Sequence, residues 1–389
     1  MNLIPPALIE KRWYEAAASI EYGTLHFMGP DGAKRSFTGV RPGPEAKFAI
    51  FEWEVLRRLA SRGDIALGED FISGAWHTDD VEALVSLFLL NLDHFGGFAH
   101  GNMLNRIGFV VKDQFLRRNS VANAKRNIRA HYDVGNDFYR LWLDETMTYS
   151  SALFSGREQA LADAQRNKYG RILSKFVNPR SSVLEIGCGW GGFAEEASKQ
   201  DHEVTGLTIS PAQHGFARDR LGSKADIRLE DYRHVRGAFD MIVSIEMFEA
   251  VGENYWRRYF DTISQRLRRG GRAVVQTITI GDEFFPGYRT RSDFIRHYVF
   301  PGGMLPSLKR FREEAESAGL KIVEAFTFGQ DYCRTLRQWS ERLKDQEKQV
   351  LALGHDDAFM RNWQFYLGIS AASFAVSRAD VAQVELVHA

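Results

Sequence analysis

At about 150 residues per domain, a chain of 389 residues predicts two domains, and its 44% hydrophobic and 26% charged residues are those of an ordinary globular protein. Cys188 and Cys333 are too few for a disulfide framework and fit a reducing cytoplasm. Fifty Lys and Arg cancel fifty Asp and Glu, so no overall field draws the chain onto nucleic acid, and any anionic partner has to be met locally.

The start, Met1-Asn2-Leu3-Ile4-Pro5-Pro6, lacks the basic and apolar regions of a secretory signal and is read as unprocessed and cytoplasmic. Residues 20–51 alternate apolar and polar around a Pro30-Asp31-Gly32 turn, which predicts a small antiparallel sheet. From Glu54 the spacing becomes helical, with Val55, Leu56 and Leu59 on one face. A second helix follows over Asp79–Leu92, with Thr78 or Asp79 as N-cap. Residues 1–110 are therefore read as a small α+β domain. The apolar run from Leu84 to Leu92 is far shorter than the ~20 residues that cross a bilayer.

Between residues 110 and 129 the chain is basic, with Lys112, Arg117, Arg118, Lys125, Arg126 and Arg129 against Asp113. Residues 111–130 are taken as a linker, either a solvated helix or a patch that meets lipid phosphates. Beyond residue 165, short apolar strands alternate with helical segments: Ser182–Ile186, His202–Leu207, Asp226–Leu229, Phe239–Val243 and Arg272–Thr277. That alternation predicts βαβ units and a parallel sheet in a second domain over residues 131–389.

The first of these strands runs into Gly187-Cys188-Gly189-Trp190-Gly191-Gly192 and then a helix, so the backbone there can turn sharply and approach a ligand. Gly187, Gly189 and Gly192 satisfy the dinucleotide spacing G-x-G-x-x-G, which brings an NAD-dependent oxidoreductase into consideration. Two features favour S-adenosylmethionine instead. Glu185 stands where it can accept a hydrogen bond from the amine of a methionine moiety, and the acid expected about 20 residues on for a nicotinamide-cofactor ribose is missing. Thr208 and Gln213 offer a hydroxyl and an amide in its place.

Further stretches carry a resemblance. His131-Tyr132-Asp133-Val134-Gly135-Asn136-Asp137-Phe138-Tyr139, Thr148-Tyr149-Ser150-Ser151-Ala152-Leu153-Phe154, Glu246-Met247-Phe248-Glu249-Ala250-Val251-Gly252, Phe300-Pro301-Gly302-Gly303-Met304-Leu305-Pro306-Ser307 and Phe328-Gly329-Gln330-Asp331-Tyr332 occur in an order and spacing that closely resembles the cyclopropane fatty acid synthases, including the mycolic acid cyclopropane synthases. Leu67-Gly68-Glu69-Asp70-Phe71-Ile72-Ser73-Gly74-Ala75-Trp76 resembles the accessory domain of the phospholipid-acting members more loosely. The implied fold is α/β: a Rossmann-like class I methyltransferase domain preceded by the small α+β domain.

The resemblance implies an S-adenosylmethionine-dependent enzyme acting on the double bond of an acyl chain in a membrane phospholipid. Tyr132, Tyr149 and Ser150 would flank the cofactor, Glu185, Gly187, Gly189 and Gly191 would cradle it, Thr208 and Gln213 would hold the ribose, and Asp231 and Tyr232 would border the adenine. It also implies an acyl chain in an apolar tunnel, a peripheral position at the inner face of the membrane reached through the basic patch, and a homodimer. The chemistry needs a dry site, because an alkene is a poor nucleophile and methyl transfer leaves a carbocation that aromatic faces can stabilise. A base must then remove a proton, either from the transferred methyl to close a ring or from a neighbouring carbon to leave a methylated alkene.

In the family that base is associated with bicarbonate held by Cys, Glu, His, Tyr and a backbone group. Glu249, Tyr332 and the main chain near Ile278 match, but Ser151 stands at the Cys position and Gln276 at the His position. Ala250 replaces the His that follows the catalytic Glu, and an extra acid, Glu246, lies three residues before that Glu. Neither Ser nor Gln carries an imidazolium charge. Bicarbonate is then either held differently or absent, with Glu249 itself as base. The catalytic candidates are Glu249, Tyr332, Gln276 and Ser151. The expected product is a methylated unsaturated chain, a methyl-branched or furan fatty acid precursor, with a cyclopropane chain as the alternative. A metal site is not expected: the eleven His are scattered and no His-Glu-x-x-His occurs. The G-x-S-x-G elbow of a serine hydrolase is missing too. A lipid-binding protein that has lost catalysis is disfavoured by the retained Glu249 and Tyr332.

Overall fold

In the computed structural model, which describes residues 6–95 and 134–389, the alternation near residue 25 becomes strand β1 (Tyr22–Met28), with Leu25 and Phe27 buried on one face. β1 pairs antiparallel with β2 (Lys34–Thr38). In the turn between them the Gly32 amide donates to the Gly29 carbonyl at 2.9 Å and Asp31 Oδ1 accepts from the Ala33 amide at 3.0 Å. β3 (Arg41–Ile50) departs from the antiparallel expectation: it lies on the other side of β1, parallel to it, and the sheet reads β2-β1-β3-β4 with β4 at Trp76–His77. The two-residue link Gly39-Val40 causes this by crossing the start of β1. The Gly39 amide donates to the Gly23 carbonyl, the Arg41 amide to the Glu21 carbonyl, both at 2.8 Å, and a Cβ on Gly39 would stand 2.4 Å from the Glu21 carbonyl oxygen. Alternation of side chains carries no record of such a crossing.

Helix Glu54–Arg62 buries Val55, Leu56 and Leu59 as the spacing requires. The next expected helix spans Val81–Leu90, and its N-cap is Asp80 rather than Thr78 or Asp79, with Oδ1 accepting from the Ala83 amide at 3.0 Å. Helices Pro6–Ala18 and Asp64–Ile72 are additional to the sequence reading. Trp13, from the first of these, packs its ring 5.3 Å from Phe27 and 5.6 Å from Phe48. The domain division also differs from the sequence reading. Thr290–Val299 and Trp339–Ser377, placed above in the second domain, cluster with the N-terminal residues, so that unit is assembled from three stretches of chain. The basic linker 111–130 lies outside the described residues.

The second unit is built on a seven-stranded sheet: β5 (Ser182–Ile186), β6 (Glu203–Thr208), β7 (Ala225–Leu229), β8 (Phe239–Ile245), β9 (Leu267–Ile280), β10 (Leu320–Thr327) and β11 (Ala379–His388). The strands lie in the order β7-β6-β5-β8-β9-β11-β10. The first five in that order pair in parallel, and β11 runs antiparallel to both β9 and β10. Runs such as Val183-Leu184 and Met241-Ile242-Val243 are buried without alternation because helices cover both faces. Helix Trp256–Arg266 presents Trp256, Tyr259, Phe260 and Ile263 at helical spacing to one core, while Phe193, Ala194 and Ala197 of helix Gly192–Ser198 line the other.

Phe248, just beyond β8, has no exposed surface and sits within 5.4 Å of the Trp256, Tyr259, Phe260 and Phe311 rings. Phe248→Ala should therefore cost about 3–5 kcal/mol. A urea-denaturation midpoint left unchanged would show that this cluster does not anchor the turn after β8.

Candidate active site

Strand order reverses at β5, and in such sheets ligands bind at the carboxyl ends of the strands beside the reversal. Glu185 and the glycine loop stand at that end of β5. Glu185 Oε2 is buried with no hydrogen-bond partner among the described residues, and the Ala194 amide in the first turn of helix Gly192–Ser198 favours the charged form of the carboxyl. Burial pushes this carboxyl up to about 8, with Lys168 opposing.

Gly187, Gly189 and Gly191 have φ of +83°, +52° and +85°. A Cβ on Gly187 would meet Met247 Cγ at 2.7 Å, and one on Gly192 would meet Tyr169 Oη at 2.8 Å, so packing alone requires those two. A Cβ on Gly189 meets nothing within 4 Å and would point into open space. Above the loop, Trp190 Nε1 donates to Asn136 Oδ1 at 2.8 Å, and Tyr149 packs 5.6 Å from both Tyr139 and Trp142.

At the end of β6, Thr208 Oγ1 donates to Gln213 Oε1 at 3.0 Å, joining the two groups assigned to the ribose. Asp231 is engaged from within the chain. Its carboxylate accepts from the Arg233 amide at 3.0 Å and from the Arg233 side chain at 2.8 and 2.7 Å. Burial alone would raise this carboxyl, but the Arg233 bonds hold it below its ordinary value. Tyr232 lies 5.7 Å from Tyr259. Tyr132 is outside the described residues. The orphaned Glu185 oxygen, the open face at Gly189 and the Thr208–Gln213 pair fit S-adenosylmethionine, whose amine, main body and ribose need an acceptor, close backbone and hydroxyl partners.

The second half of the site lies at the ends of β8 and β9. Glu246 has φ +49°, and its amide donates to the Gln276 carbonyl at 2.8 Å. Its Oε1 accepts from the Ser151 amide at 2.9 Å and from Gln276 Nε2 at 2.7 Å, and its Oε2 accepts from Tyr332 Oη at 2.6 Å. Ser151 thus contributes its amide, its hydroxyl donating instead to the Ala152 carbonyl at 3.0 Å. Glu249 Oε1 accepts from Thr277 Oγ1 at 2.9 Å and from the Ile278 amide. Its Oε2 is buried with no partner among the described residues. Burial, and then the neighbouring Glu246, push the Glu249 carboxyl up to about 8.

Between the halves lies Lys168, fully buried, with Nζ donating to Ser150 Oγ at 2.6 Å and to Gln165 Oε1 at 2.7 Å. Burial pulls its ammonium down to about 7, against the fields of Glu246, Asp144 and Glu185. Three of the four catalytic candidates, Ser151, Gln276 and Tyr332, meet on Glu246, and the fourth, Glu249, is held by Thr277 and Ile278. The sequence reading omitted Lys168, Gln165, Thr277 and Gln383. Lys168 had a signal: with Leu161, Ala164 and Ile172 it shares the buried face of helix Leu161–Leu173, where a lysine needs a reason.

Gly189→Ala should leave the fold intact, since alanine reaches this left-handed conformation for about 1–2 kcal/mol and meets no protein atom. Affinity for S-adenosylhomocysteine should fall about tenfold or more, roughly 1.4 kcal/mol per tenfold. Unchanged affinity by calorimetric titration would remove the glycine loop from the cofactor site.

The family profile described as "Mycolic acid cyclopropane synthetase" matches residues 119–384. Tuberculostearic acid methyltransferase UfaA1 of Mycobacterium tuberculosis is 35% identical over 346 residues, covering 85% of this chain and 81% of that one. The cyclopropane-fatty-acyl-phospholipid synthase of Escherichia coli K12 is 31% identical over 341 residues, 85% of each chain. The crystal structure of mycolic acid cyclopropane synthase CmaA1 complexed with SAH and CTAB superposes with a TM-score of 0.64 at 30% identity, over 67% of this chain and 97% of that one. With a sheet of the class I methyltransferase kind and this glycine loop, the chain belongs to the mycolic acid cyclopropane synthetase family and is an S-adenosylmethionine-dependent lipid methyltransferase.

Proposed function

We propose that this enzyme methylates a double-bond carbon of an unsaturated acyl chain carried by a membrane phospholipid and leaves a methylated, still unsaturated chain. The observation that carries this reading is Glu249, one oxygen fixed by Thr277 and Ile278 and the other buried with no partner among the described residues, at the strand ends beside the cofactor loop. Bound S-adenosylmethionine supplies an electrophilic methyl group on a positively charged sulfur. Glu185 accepts from its amine and fixes the cofactor, and the aromatic residues Tyr139, Trp142 and Tyr149 close the loop side against water.

Once the chain carries a carbocation beside the methylated carbon, Glu249 Oε2 takes a proton from the next carbon. The C–H electron pair becomes the new π bond, and no ring forms. The relative named a tuberculostearic acid methyltransferase supports this outcome. A second reading, proton loss from the transferred methyl to close a cyclopropane, is supported by the Escherichia coli relative matched over the same share of this chain. A phospholipid substrate puts the enzyme at the cytoplasmic face of the membrane, with the basic stretch 110–129 facing anionic headgroups. Among the described residues no helix is long and apolar enough to cross a bilayer.

Mass spectrometry of fatty acids from a host lacking its own cyclopropane synthase, fed methionine with a trideuterated methyl, separates the two products. Three deuteriums in the new chain are expected, and two would show that the transferred methyl loses a proton, as ring closure requires. Glu249→Gln should lower turnover by about a hundredfold or more while S-adenosylhomocysteine affinity stays near wild type. At saturating cofactor, turnover should rise with pH through about 8, because the base form of Glu249 appears only as its raised carboxyl releases its proton. A flat profile from pH 6 to 9 would exclude Glu249 as the base.

A further inference from the structure

We infer that the carboxylate of Glu246 fills the place that the family resemblance assigns to bicarbonate, so that this enzyme turns over without that ion. The inference rests on the methyltransferase reading above and concerns how its base site is charged. The holders that the resemblance assigns to the ion are engaged within the chain, except for Oε2 of Glu249. The Ser151 amide, Gln276 Nε2 and Tyr332 Oη donate to the two oxygens of Glu246. The remaining two, Glu249 and the Ile278 amide, bond each other. Bicarbonate does not fit this arrangement, and no step runs through it.

Burial raises the Glu246 carboxyl above its ordinary value, and the three converging donors, with Lys168 nearby, oppose that shift and favour its charged form. Gln276 is oriented for this task, since its Oε1 accepts from Gln383 Nε2 at 3.0 Å and its amide nitrogen therefore faces Glu246. Glu246 also adopts the left-handed backbone region, uncommon outside glycine, in the turn that follows β8. Held there, its fixed negative charge strengthens the hold of Glu249 on a proton and opposes the positive charge that develops on the acyl chain.

The test uses the full-length enzyme in carbon dioxide-free buffer, with equilibrium dialysis of radiolabelled bicarbonate in the presence of S-adenosylhomocysteine. Turnover is followed in parallel on vesicles of dioleoylphosphatidylglycerol. The wild type should bind no bicarbonate, and adding the ion should leave its turnover unchanged. Glu246→Gly, which suits the left-handed backbone, should bind the ion and regain turnover when it is added. Glu246→Gln presents an amide to three donors and should lose on the order of a hundredfold, with the pH rise of its residual turnover moved to lower pH. A merely structural role would leave that rise in place. Saturable binding of bicarbonate to the wild type, or turnover that climbs with it, overturns the inference. Should the wild type turn over no lipid at all, the substrate reading fails, and dialysis still decides for or against Glu246.

Discussion

Burying a carboxyl group is costly unless something pairs with it, and this site buries three, Glu185, Glu246 and Glu249, near the ammonium of Lys168. The chain meets that cost mostly with neutral donors rather than cations. Glu246 takes an amide, a carboxamide and a phenol, and Glu249 a hydroxyl and an amide. Hydrogen bonds of this kind stabilise negative charge without cancelling it. Burial still lifts Glu185 and Glu249 to about 8, so the region next to the glycine loop gains negative potential as the pH rises through that value. Both the sulfonium of the cofactor and a carbocation on an acyl chain are positive, and neither brings its own counterion.

The sheet makes this concentration of charge feasible. Ile245 pairs in register with Gln276, and Gln276 with Gln383, so the donor that orients Glu246 and the group that orients the donor sit side by side on three adjacent strands. From the opposite direction, segment 150–154 is tied to helix Gly329–Asp345. The Ala152 amide donates to Thr335 Oγ1 at 3.1 Å and the Phe154 amide to Asp331 Oδ2 at 3.0 Å. A third tie, from the Met304 amide to the Glu249 carbonyl at 2.9 Å, brings in the loop over residues 300–307. Motifs far apart in the chain therefore become one site because each satisfies backbone groups of another.

That assembly explains what could be read from sequence. The strands of the large sheet are buried on both faces and announce themselves as short apolar runs, so β5 is legible to its ends and β6, β7 and β8 to within a residue or two. The glycine loop is legible for the same reason that it works, because its positive φ angles admit little else. The parallel pairing of β1 and β3 is not legible, since it turns on Gly39 passing over Glu21. Nor is the return of Trp339–Ser377 to the first unit, because helix Gly329–Asp345 runs across the division without a break in pattern. In the site, the acids and the phenol are visible as types, but the amide of Ser151 is not, because backbone donors have no residue signature.

Gln276 shows why a departure from a family pattern is poorly judged one position at a time. Taken alone, glutamine in place of histidine is the loss of a charge and of a base. With Glu246 opposite, the requirement is reversed. An imidazolium at that position would pair with the carboxylate and neutralise it, whereas a carboxamide aligns the carboxylate and leaves its charge in force. The neutral donor and the added acid are thus two halves of one electrostatic arrangement. Lys168 fits the same scheme: its buried ammonium is spent on Ser150 and Gln165 rather than on either carboxylate, so it offsets part of the accumulated charge through space without forming a closed ion pair. The negative potential that a cationic reaction needs is not cancelled by an ion pair, because among the described residues no cation bonds directly to Glu246 or Glu249.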